Sequence, residues 1–405
     1  MRGAYFDHNA TTPLDPEVRE AMLPWLGGDG GSPGKWGNPS SVHRFGQAAR
    51  EAVEAAREQV AEFIDCRTPE EIVFVSSGTE ANNAVVASLL ADHRPGPRPG
   101  GRLVLSALEH PSILGAAQAA APRVGVEVVR VPPEMDGVVS VARMAEAAAA
   151  AGGGTILAAL MLANNELGTL QPVAELGRTL SEQGAPRVPV LCDAVQAVGK
   201  IPVSVQMLGV DYLTLAGHKF HGPLGAAALW IRAGAEFSPL LIGGAQERQR
   251  RAGTVNVPAV VGFGVACAVA GRDLAAREQQ LRRLRDRFEA GLAAIPGSLV
   301  HCASASRLPH TSHVAFPGVV GQELMIRLDL AGFAVSTGAA CGSGTVQASP
   351  TLTAMGMPFD EAIASLRVSF GLPNTEDEVD RLLPVLADAV AVLRSARAVP
   401  VGEMR

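Results

Sequence analysis

The chain has 405 residues, of which 47% are hydrophobic, and this length and apolar content suffice for more than one buried core. Its 40 acidic and 34 basic residues leave a net charge of -6, which argues against a nucleic-acid partner because it provides no general basic surface. The five cysteines are odd in number and scattered, with no C-x-x-C pair, so we expect neither a disulfide framework nor an intrinsic metal site.

The first residues and the longest apolar run both bear on the location of the protein. Asp7 and His8 lie where a secretory signal needs an apolar core, and unpaired cysteines are typical of a reducing compartment. The apolar run 257–271 is shorter than a bilayer span and contains Pro258, so it predicts a buried helix instead of a transmembrane segment. We therefore expect a cytoplasmic protein with no membrane partner.

The first two thirds of the chain have the pattern of an α/β domain. Val53, Ala56, Val60 and Phe63 recur at helical spacing in a charged segment, which predicts an amphipathic helix. Short apolar runs then alternate with helical patterns, and such alternation predicts a largely parallel sheet. The runs are Ile72–Val75, Leu103–Leu105, Val126–Val131, Ile156–Leu162, Val188–Leu191 and Tyr212–Leu215.

The last third of the chain has a different pattern. A charged helical segment begins near Arg272, a short strand is predicted at His313–Phe316, and a final helix is predicted over Glu376–Arg394. We expect three units: residues 1–15 as a segment packed with the small domain, 16–260 as the large domain, and 261–405 as a smaller C-terminal α+β domain.

Polar residues directly follow the predicted strands, and strand ends of an open α/β sheet converge on one cleft. Lys219 follows Tyr212–Leu215, where partial desolvation would make its amine a good nucleophile. Most lysines are merely solvated, but the neighbouring histidines and glycines weaken that interpretation here. Asp193 follows another strand and is suited to pairing with a pyridine nitrogen, with Gln196 beside it, although an Asp at this position is often only a helix cap.

Residues 76–79 and His110 would complete the groups needed to bind pyridoxal 5′-phosphate: a phosphate site and a side chain that covers the ring. Residues 76–79 (Ser-Ser-Gly-Thr) lead from a strand into a helix and could bind a phosphate, or could simply cap that helix. His110 follows a strand and could stack on a ring or transfer a proton, while a lone histidine is usually structural. The combination favours a pyridoxal phosphate enzyme over either a P-loop or a dinucleotide-binding enzyme, whose glycine motifs are missing from the sequence.

The order of motifs along the chain resembles that of the cysteine desulfurases of the nitrogenase and iron–sulfur-cluster type, within the class V aminotransferases. The resemblance spans nearly the whole chain. Its motifs are Asp7-His8-Asn9-Ala10-Thr11-Thr12-Pro13, Gly37-Asn38-Pro39-Ser40-Ser41, Ser77-Gly78-Thr79-Glu80-Ala81-Asn82-Asn83, Glu109-His110, Asn164-Asn165-Glu166-Leu167-Gly168, Asp193-Ala194-Val195-Gln196, Gly217-His218-Lys219, Arg251-Ala252-Gly253-Thr254, Ser336-Thr337-Gly338-Ala339-Ala340-Cys341 and Leu366-Arg367-Val368-Ser369-Phe370-Gly371.

The resemblance implies the type I fold of pyridoxal phosphate-dependent transferases and a role for each matching residue. Lys219 would be bound covalently to the cofactor, Asp193 would pair with its ring nitrogen, and His110 would stack on the ring. The other cofactor-binding residues implied are Gly78, Thr79, Asn165, Gln196, His218 and Thr254. Thr254 would reach the site of a partner subunit, which implies a homodimer, and Arg367, Asn38 and Asn165 would bind the substrate.

Cys341 distinguishes desulfuration of L-cysteine from ordinary transamination. It lies in the small-residue stretch Ala340-Cys341-Gly342-Ser343-Gly344-Thr345, which is typical of a mobile loop. Free cysteines are usually buried and inert, as we expect for the other four. Cys341 would instead take the sulfur as a persulfide and pass it to an acceptor thiol, for iron–sulfur cluster assembly or thio-modification, and could transiently ligate an iron–sulfur cluster of a partner.

The sequence also departs from the family. The family usually has a hydroxyl residue at the position of Ala216, so one phosphate donor is missing. The chain ends without the extended tail that some relatives use to bind a cluster scaffold protein. Alternative activities are selenocysteine lyase or another class V transamination, and a noncatalytic scaffold-binding protein is disfavoured because both Lys219 and Cys341 are present.

Overall fold

The computed structural model describes residues 3–27, 34–91, 101–150, 154–183, 187–338 and 347–398. The strands are β1 (Ala4–Tyr5), β2 (Ile72–Val75), β3 (Arg102–Ser106), β4 (Glu127–Val131), β5 (Thr155–Ala159), β6 (Val190–Asp193), β7 (Tyr212–Ala216), β8 (Ala227–Ile231), β9 (Leu299–Val300), β10 (Thr311–Ala315), β11 (Phe333–Ala334) and β12 (Ser365–Ser369). The α-helices are α1 (Pro16–Met22), α2 (Arg44–Phe63), α3 (Gly78–Leu90), α4 (Pro111–Ala120), α5 (Val141–Ala149), α6 (Val173–Glu182), α7 (Val205–Leu208), α8 (Val257–Arg272), α9 (Leu274–Gly291), α10 (Gly321–Leu330), α11 (Pro350–Ala354), α12 (Phe359–Ala362) and α13 (Glu376–Ala398).

Seven strands form the central sheet in the order β2-β8-β7-β6-β5-β3-β4. Neighbouring pairs among β4, β3, β5, β6 and β7 are parallel, and β8 is antiparallel to both of its neighbours. Each predicted apolar run overlaps one of the strands β2 to β7, so the predicted α/β class with a mainly parallel sheet is confirmed. The pattern missed β8 because this strand follows the Lys219 turn closely, without the helix that separates parallel strands.

Both faces of the central sheet are covered, which is why its strands are almost uniformly apolar. Alternate residues of each strand belong to different clusters: Phe74 packs in the cluster that includes α2 and α8, while Val73 packs in the cluster that includes α3 and α4. The sheet is therefore rigidly held between two helical layers, and its strand ends are fixed positions for functional side chains.

The C-terminal part has a core of its own. The antiparallel sheet β12-β10-β9 packs with α9, α10 and α13 in a separate apolar cluster. The N-terminal segment also contributes to this cluster through Ala4 and Phe6, and β1 pairs with β11. The predicted boundary near residue 260 falls within α8, whose Phe263 and Cys267 pack in the larger core.

Within the described residues no single helix is long and apolar enough to cross a membrane. The helices α8 and α9 meet that criterion only as a pair, and they are bent by 77° at their junction.

Candidate active site

A cavity of about 340 Å³ lies at the carboxyl ends of the parallel strands, where open α/β sheets bind ligands. The helix α3 begins at its edge, and the loops after β3, β5, β6 and β7 form its walls. It is lined by Asn9, Ala10, Ser77, Gly78, Thr79, Asn82, His110, Ser112, Met161, Ala163, Asn165, Asp193, Val195, Gln196, Ala216, His218, Lys219 and Arg367.

Lys219 ends a short 3-10 turn that directly follows β7. Its Nζ donates to the carbonyl oxygens of Asn9 at 2.6 Å and Ala10 at 2.9 Å. Burial, together with the nearby Arg367 guanidinium, lowers the pKa of this amine to about 8. A substantial fraction of Lys219 is therefore a neutral nucleophile near physiological pH.

Asp193 is the last residue of β6 and is 7% exposed. Its Oδ1 accepts a hydrogen bond from the Val195 amide at 3.0 Å, and its Oδ2 accepts one from Asn82 Nδ2 at 2.8 Å. These donors hold the carboxylate at the cavity wall while leaving further lone pairs for a ligand. A protonated heterocyclic nitrogen is a suitable partner for such an anion.

His110 caps the N-terminus of α4. Its Nδ1 accepts a hydrogen bond from the Ser112 amide at 3.1 Å and lies 2.8 Å from Ser112 Oγ. Burial lowers the pKa of His110, and the Lys219 ammonium has the same effect, against the opposing effect of Asp193. The ring is thus a neutral, fixed imidazole at the cavity wall.

The N-terminus of α3 forms an anion site in the same cavity. Ser77 caps the helix by accepting a hydrogen bond from the Glu80 amide at 3.1 Å. A Cβ added at Gly78 would lie 2.9 Å from Val195 Cγ2, so glycine permits the close approach of two cavity walls. The first amides of α3 and the Thr79 hydroxyl are suited to a phosphate because a helix N-terminus carries a partial positive charge.

Gln196 lies between the cavity and a buried lysine. Its Nε2 donates to the Asn9 carbonyl at 2.9 Å, and its Oε1 accepts a hydrogen bond from Lys200 Nζ at 3.3 Å. His218 packs at the other side, with Nδ1 at 3.1 Å from Thr11 Oγ1, and burial lowers its pKa to about 4. Both side chains are therefore held by the N-terminal segment of the chain.

Arg367 extends from β12 of the smaller core into the cavity, where it is 6% exposed. Its Nη2 pairs with Asp7 Oδ1 at 2.6 Å, and its Nη1 donates to the Asn165 carbonyl at 2.9 Å. Its Nε is buried and has no hydrogen-bond partner among the described residues. A buried donor without a partner is costly, so a ligand carboxylate that accepts from this atom would be well bound.

Three predicted site residues are not among those that line the cavity. Asn38 is exposed before α2, where its Oδ1 accepts a hydrogen bond from the Ser40 amide at 2.9 Å. Thr254 is exposed on the loop that precedes α8. Cys341 lies outside the described residues.

The sequence pattern missed several residues of the cavity wall. The carbonyls of Asn9 and Ala10 bind the Lys219 amine, and the side chains of Asn82 and Ser112 link Asp193 with His110. Asn9, Ala10 and Asn82 belong to motifs that carried the family resemblance, and this membership was the only feature of the sequence that could have identified them as cavity residues. Nothing in the sequence identified Ser112, because its hydrogen bonds with His110 depend on the backbone conformation at the start of α4.

The cavity residues fit pyridoxal 5′-phosphate. The N-terminus of α3 is suited to binding the phosphate, the Asp193 carboxylate to pairing with the ring nitrogen, and the Lys219 amine to reacting with the aldehyde carbon. Ala216 lines the cavity where a hydroxyl donor was expected, so Ser77 and Thr79 are the hydroxyl residues available for the phosphate. A larger groove of about 580 Å³ at the ends of α2 and α8 has neither a lysine nor a histidine among its described lining residues, so it offers no comparable chemistry.

Comparison with known proteins places the chain in a family. The model of the aminotransferase class-V family matches residues 4–382. A cysteine desulfurase of Cereibacter sphaeroides is 42% identical over 396 residues, covering 98% of this chain and 97% of that protein. The structure of a NifS-like protein superposes with a TM-score of 0.85 at 34% identity, covering 96% of this chain and 100% of the other. The structure of SspA in complex with cysteine superposes with a TM-score of 0.77 at 30% identity, covering 91% and 98%. The chain therefore belongs to the aminotransferase class-V family, within its group of cysteine desulfurases.

Proposed function

We propose that this protein removes sulfur from L-cysteine, forms L-alanine, and transfers the sulfur through Cys341 to an acceptor thiol. The observation that carries the proposal is the partly buried amine of Lys219, which shares one cavity with the Asp193 carboxylate and the Arg367 guanidinium. An amine, an anion and a carboxylate clamp are the groups that amino-acid chemistry on pyridoxal phosphate requires. Relatives named cysteine desulfurases and a related structure with bound cysteine support this substrate.

The cofactor of the reaction would be pyridoxal phosphate, whose ring supplies an electron sink for the charge left when an α-proton is removed. Ser77, Gly78 and Thr79 would hold its phosphate at the N-terminus of α3. Asp193 would hold its ring nitrogen protonated, and His110 would lie against the ring.

The substrate would be oriented by Arg367 and deprotonated by Lys219. The Arg367 Nε, which has no partner among the described residues, would donate to the carboxylate of L-cysteine. The neutral Nζ of Lys219 would accept the α-proton, and the Asn9 and Ala10 carbonyls would stabilise the ammonium that forms. Lys219 would then return the α-proton, and the proton released when the Cys341 thiol ionises would complete the second new C–H bond of alanine, while His110 Nε2–H donates a hydrogen bond.

Sulfur transfer would require a thiolate that reaches the substrate in the cavity. The Cys341 thiolate would form an S–S bond with the substrate sulfur while the substrate C–S bond breaks, which leaves a persulfide on Cys341. In the sequence, Cys341 follows Gly338, the last described residue of this segment, by three positions. The backbone at Ser336 is bonded to Arg367 in both directions, at 3.1 Å and 2.7 Å, which ties this segment to the substrate clamp.

The other cysteines are poor candidates for this role. Cys192 and Cys267 are buried, and burial raises their thiol pKa values well above the ordinary range. Burial also raises the thiol pKa values of Cys66 and Cys302 to about 11. A thiol that stays protonated at neutral pH is a weak nucleophile, so Cys341 is the better candidate.

We also propose a homodimer in which Thr254 of each subunit binds the cofactor phosphate of the partner. Thr254 is exposed and does not line the cavity of its own chain. The same loop region exposes apolar side chains, of which Ile242 is 88% exposed, as expected of a surface that another chain covers. Mixing a Lys219→Ala chain with a Thr254→Ala chain tests this: restored phosphate binding in the mixture supports a shared site, and a monomer by light scattering refutes it.

The test of the activity measures alanine and sulfide released from L-cysteine in the presence of a reductant. We expect equal amounts of both from the protein with bound cofactor. Cys341→Ala should keep the visible absorbance of the cofactor and lose sulfide formation, while the matched control Cys302→Ala should keep both. A fully active Cys341→Ala protein would refute the role of Cys341, and failure to bind pyridoxal phosphate would refute the proposed reaction.

A further inference from the structure

A chain of hydrogen-bonded side chains leads along the wall of the active site from the Asp193 carboxylate to the His110 ring. Asn82 Nδ2 donates to Asp193 Oδ2 at 2.8 Å and to Ser112 Oγ at 2.9 Å. Ser112 Oγ lies 2.8 Å from His110 Nδ1. Asn82 is 1% exposed and Ser112 is 7% exposed, so water does not compete for the two hydrogen bonds that Asn82 donates.

We propose that Asn82 and Ser112 are positioning residues, which hold His110 with its proton on Nε2 and couple its orientation to that of the Asp193 carboxylate. The inference rests on the proposed function, which is what places a cofactor between His110 and Asp193. Neither Asn82 nor Ser112 touches the reacting atoms in this role, since both act through His110.

The direction of each hydrogen bond follows from groups that can only donate or only accept. The Ser112 backbone N–H donates to His110 Nδ1 at 3.1 Å, so Nδ1 is an acceptor and carries no proton. The amide of Asn82 must direct its nitrogen toward Asp193, because a reversed amide would place oxygen against the carboxylate. Since both hydrogens of that nitrogen are used, Ser112 Oγ accepts from Asn82 and donates its own proton to His110 Nδ1.

Two donors on Nδ1 restrict the chemistry of the ring. A proton on Nδ1 would face the Ser112 N–H, so both the alternative tautomer and the imidazolium are disfavoured. Burial lowers the pKa of His110 in the same direction, and the charged groups that act on the ring are Asp193 and Lys219. His110 therefore presents one N–H, on Nε2, to the cavity that it lines. This is the nitrogen through which it would donate a hydrogen bond to substrate or product.

One atom of Asn82 is left without a hydrogen bond, which indicates that this residue is not present for stability alone. Asn82 Oδ1 is buried and has no hydrogen-bond partner among the described residues. An asparagine chosen only for stability would not leave this oxygen unsatisfied, because a buried acceptor without a donor is unfavourable. Its two donor contacts to Asp193 and Ser112 are the reason to retain it.

The test uses the protein with bound pyridoxal phosphate and histidine labelled with ¹⁵N, with the His110 signals assigned from a His110→Gln variant. We expect an unprotonated Nδ1 and a protonated Nε2 in the unsubstituted protein. In Ser112→Ala the backbone donor remains, so the fold is kept, but loss of the hydroxyl donor should raise the pKa of His110. We expect kcat for alanine formation to fall about fivefold with little change in KM, the loss typical of one hydrogen bond. Ser112→Thr, which retains the hydroxyl, should restore both the pKa and kcat.

Asn83→Ala is the matched control, because Asn83 lies on the same helix and, among the described residues, donates only to the backbone carbonyls of Thr79 and Ser112. It should leave the His110 signals unchanged. A protonated Nδ1 in the unsubstituted protein, or an unchanged His110 pKa in Ser112→Ala, would overturn the inference. Because these signals are read independently of turnover, absence of alanine formation from the unsubstituted protein would instead refute the proposed function.

Discussion

The burial of Lys219 predicts how fast the protein captures pyridoxal phosphate at each pH. Only the neutral amine attacks an aldehyde, and the pKa of Lys219 is lowered from 10.5 to about 8 by burial and by the Arg367 guanidinium. The capture rate should therefore rise with pH up to an inflection near 8 and then level off. Below that pH the rate should fall about tenfold for each unit.

The size of the effect follows from the two pKa values. A lysine with the ordinary value of 10.5 is about 0.03% neutral at pH 7, whereas one with a pKa of about 8 is about 10% neutral. Lys219 should thus react about 300-fold faster at pH 7 than an unperturbed lysine of equal intrinsic reactivity.

The assay mixes cofactor-free protein with pyridoxal phosphate at a series of pH values, stops the reaction with borohydride, and measures the mass of the peptide that contains Lys219. Nα-acetyllysine is the reference for an unperturbed amine. Arg367→Gln removes a positive charge near the amine and leaves Asp7 without its partner, and both changes favour the ammonium. That variant should shift the inflection upward. An inflection above pH 10 in the unsubstituted protein would refute the reasoning.

Three further substitutions test other parts of the structure. Arg57→Met leaves the Glu247 carboxylate, bonded to Arg57 at 2.8 Å, buried without its partner, and should lower the free energy of unfolding by about 3–5 kcal/mol in urea titrations; a loss below about 1 kcal/mol would contradict a buried pair. Arg367→Lys replaces a planar fork with a point charge and should raise KM for L-cysteine at least about tenfold, and an unchanged KM would exclude Arg367 as the carboxylate clamp. Gly338→Ala forces a side chain at φ 78° against Glu166 Oε2, 2.6 Å away, and should slow sulfide release while leaving the cofactor absorbance intact. Sulfide release at the original rate would show that the backbone at Gly338 adapts.

Much of the fold followed from local patterns. Strands buried on both faces are short apolar runs, so β2 to β7 were predictable, and α2 and α13 showed helical periodicity. β8 was missed because an antiparallel strand next to β7 needs no connecting helix. The sequence does not show which core α8 belongs to, because this helix is apolar on most of its surface, and only its contacts show that it packs in the larger core.

The sequence by itself determined which residue types stand at the strand ends, and in α/β folds that placement is enough to bring Lys219, Asp193 and His110 together. The tertiary structure alone decided what surrounds them. The carbonyls that bind Lys219 come from a segment about 210 residues earlier in the chain, and Arg367 enters from the smaller core. The proton position on His110 depends on Ser112 and Asn82, whose contacts arise where α3 and α4 pack side by side. Such groups act through distances of a few ångströms, which are set by how distant elements pack and are not encoded in local sequence patterns.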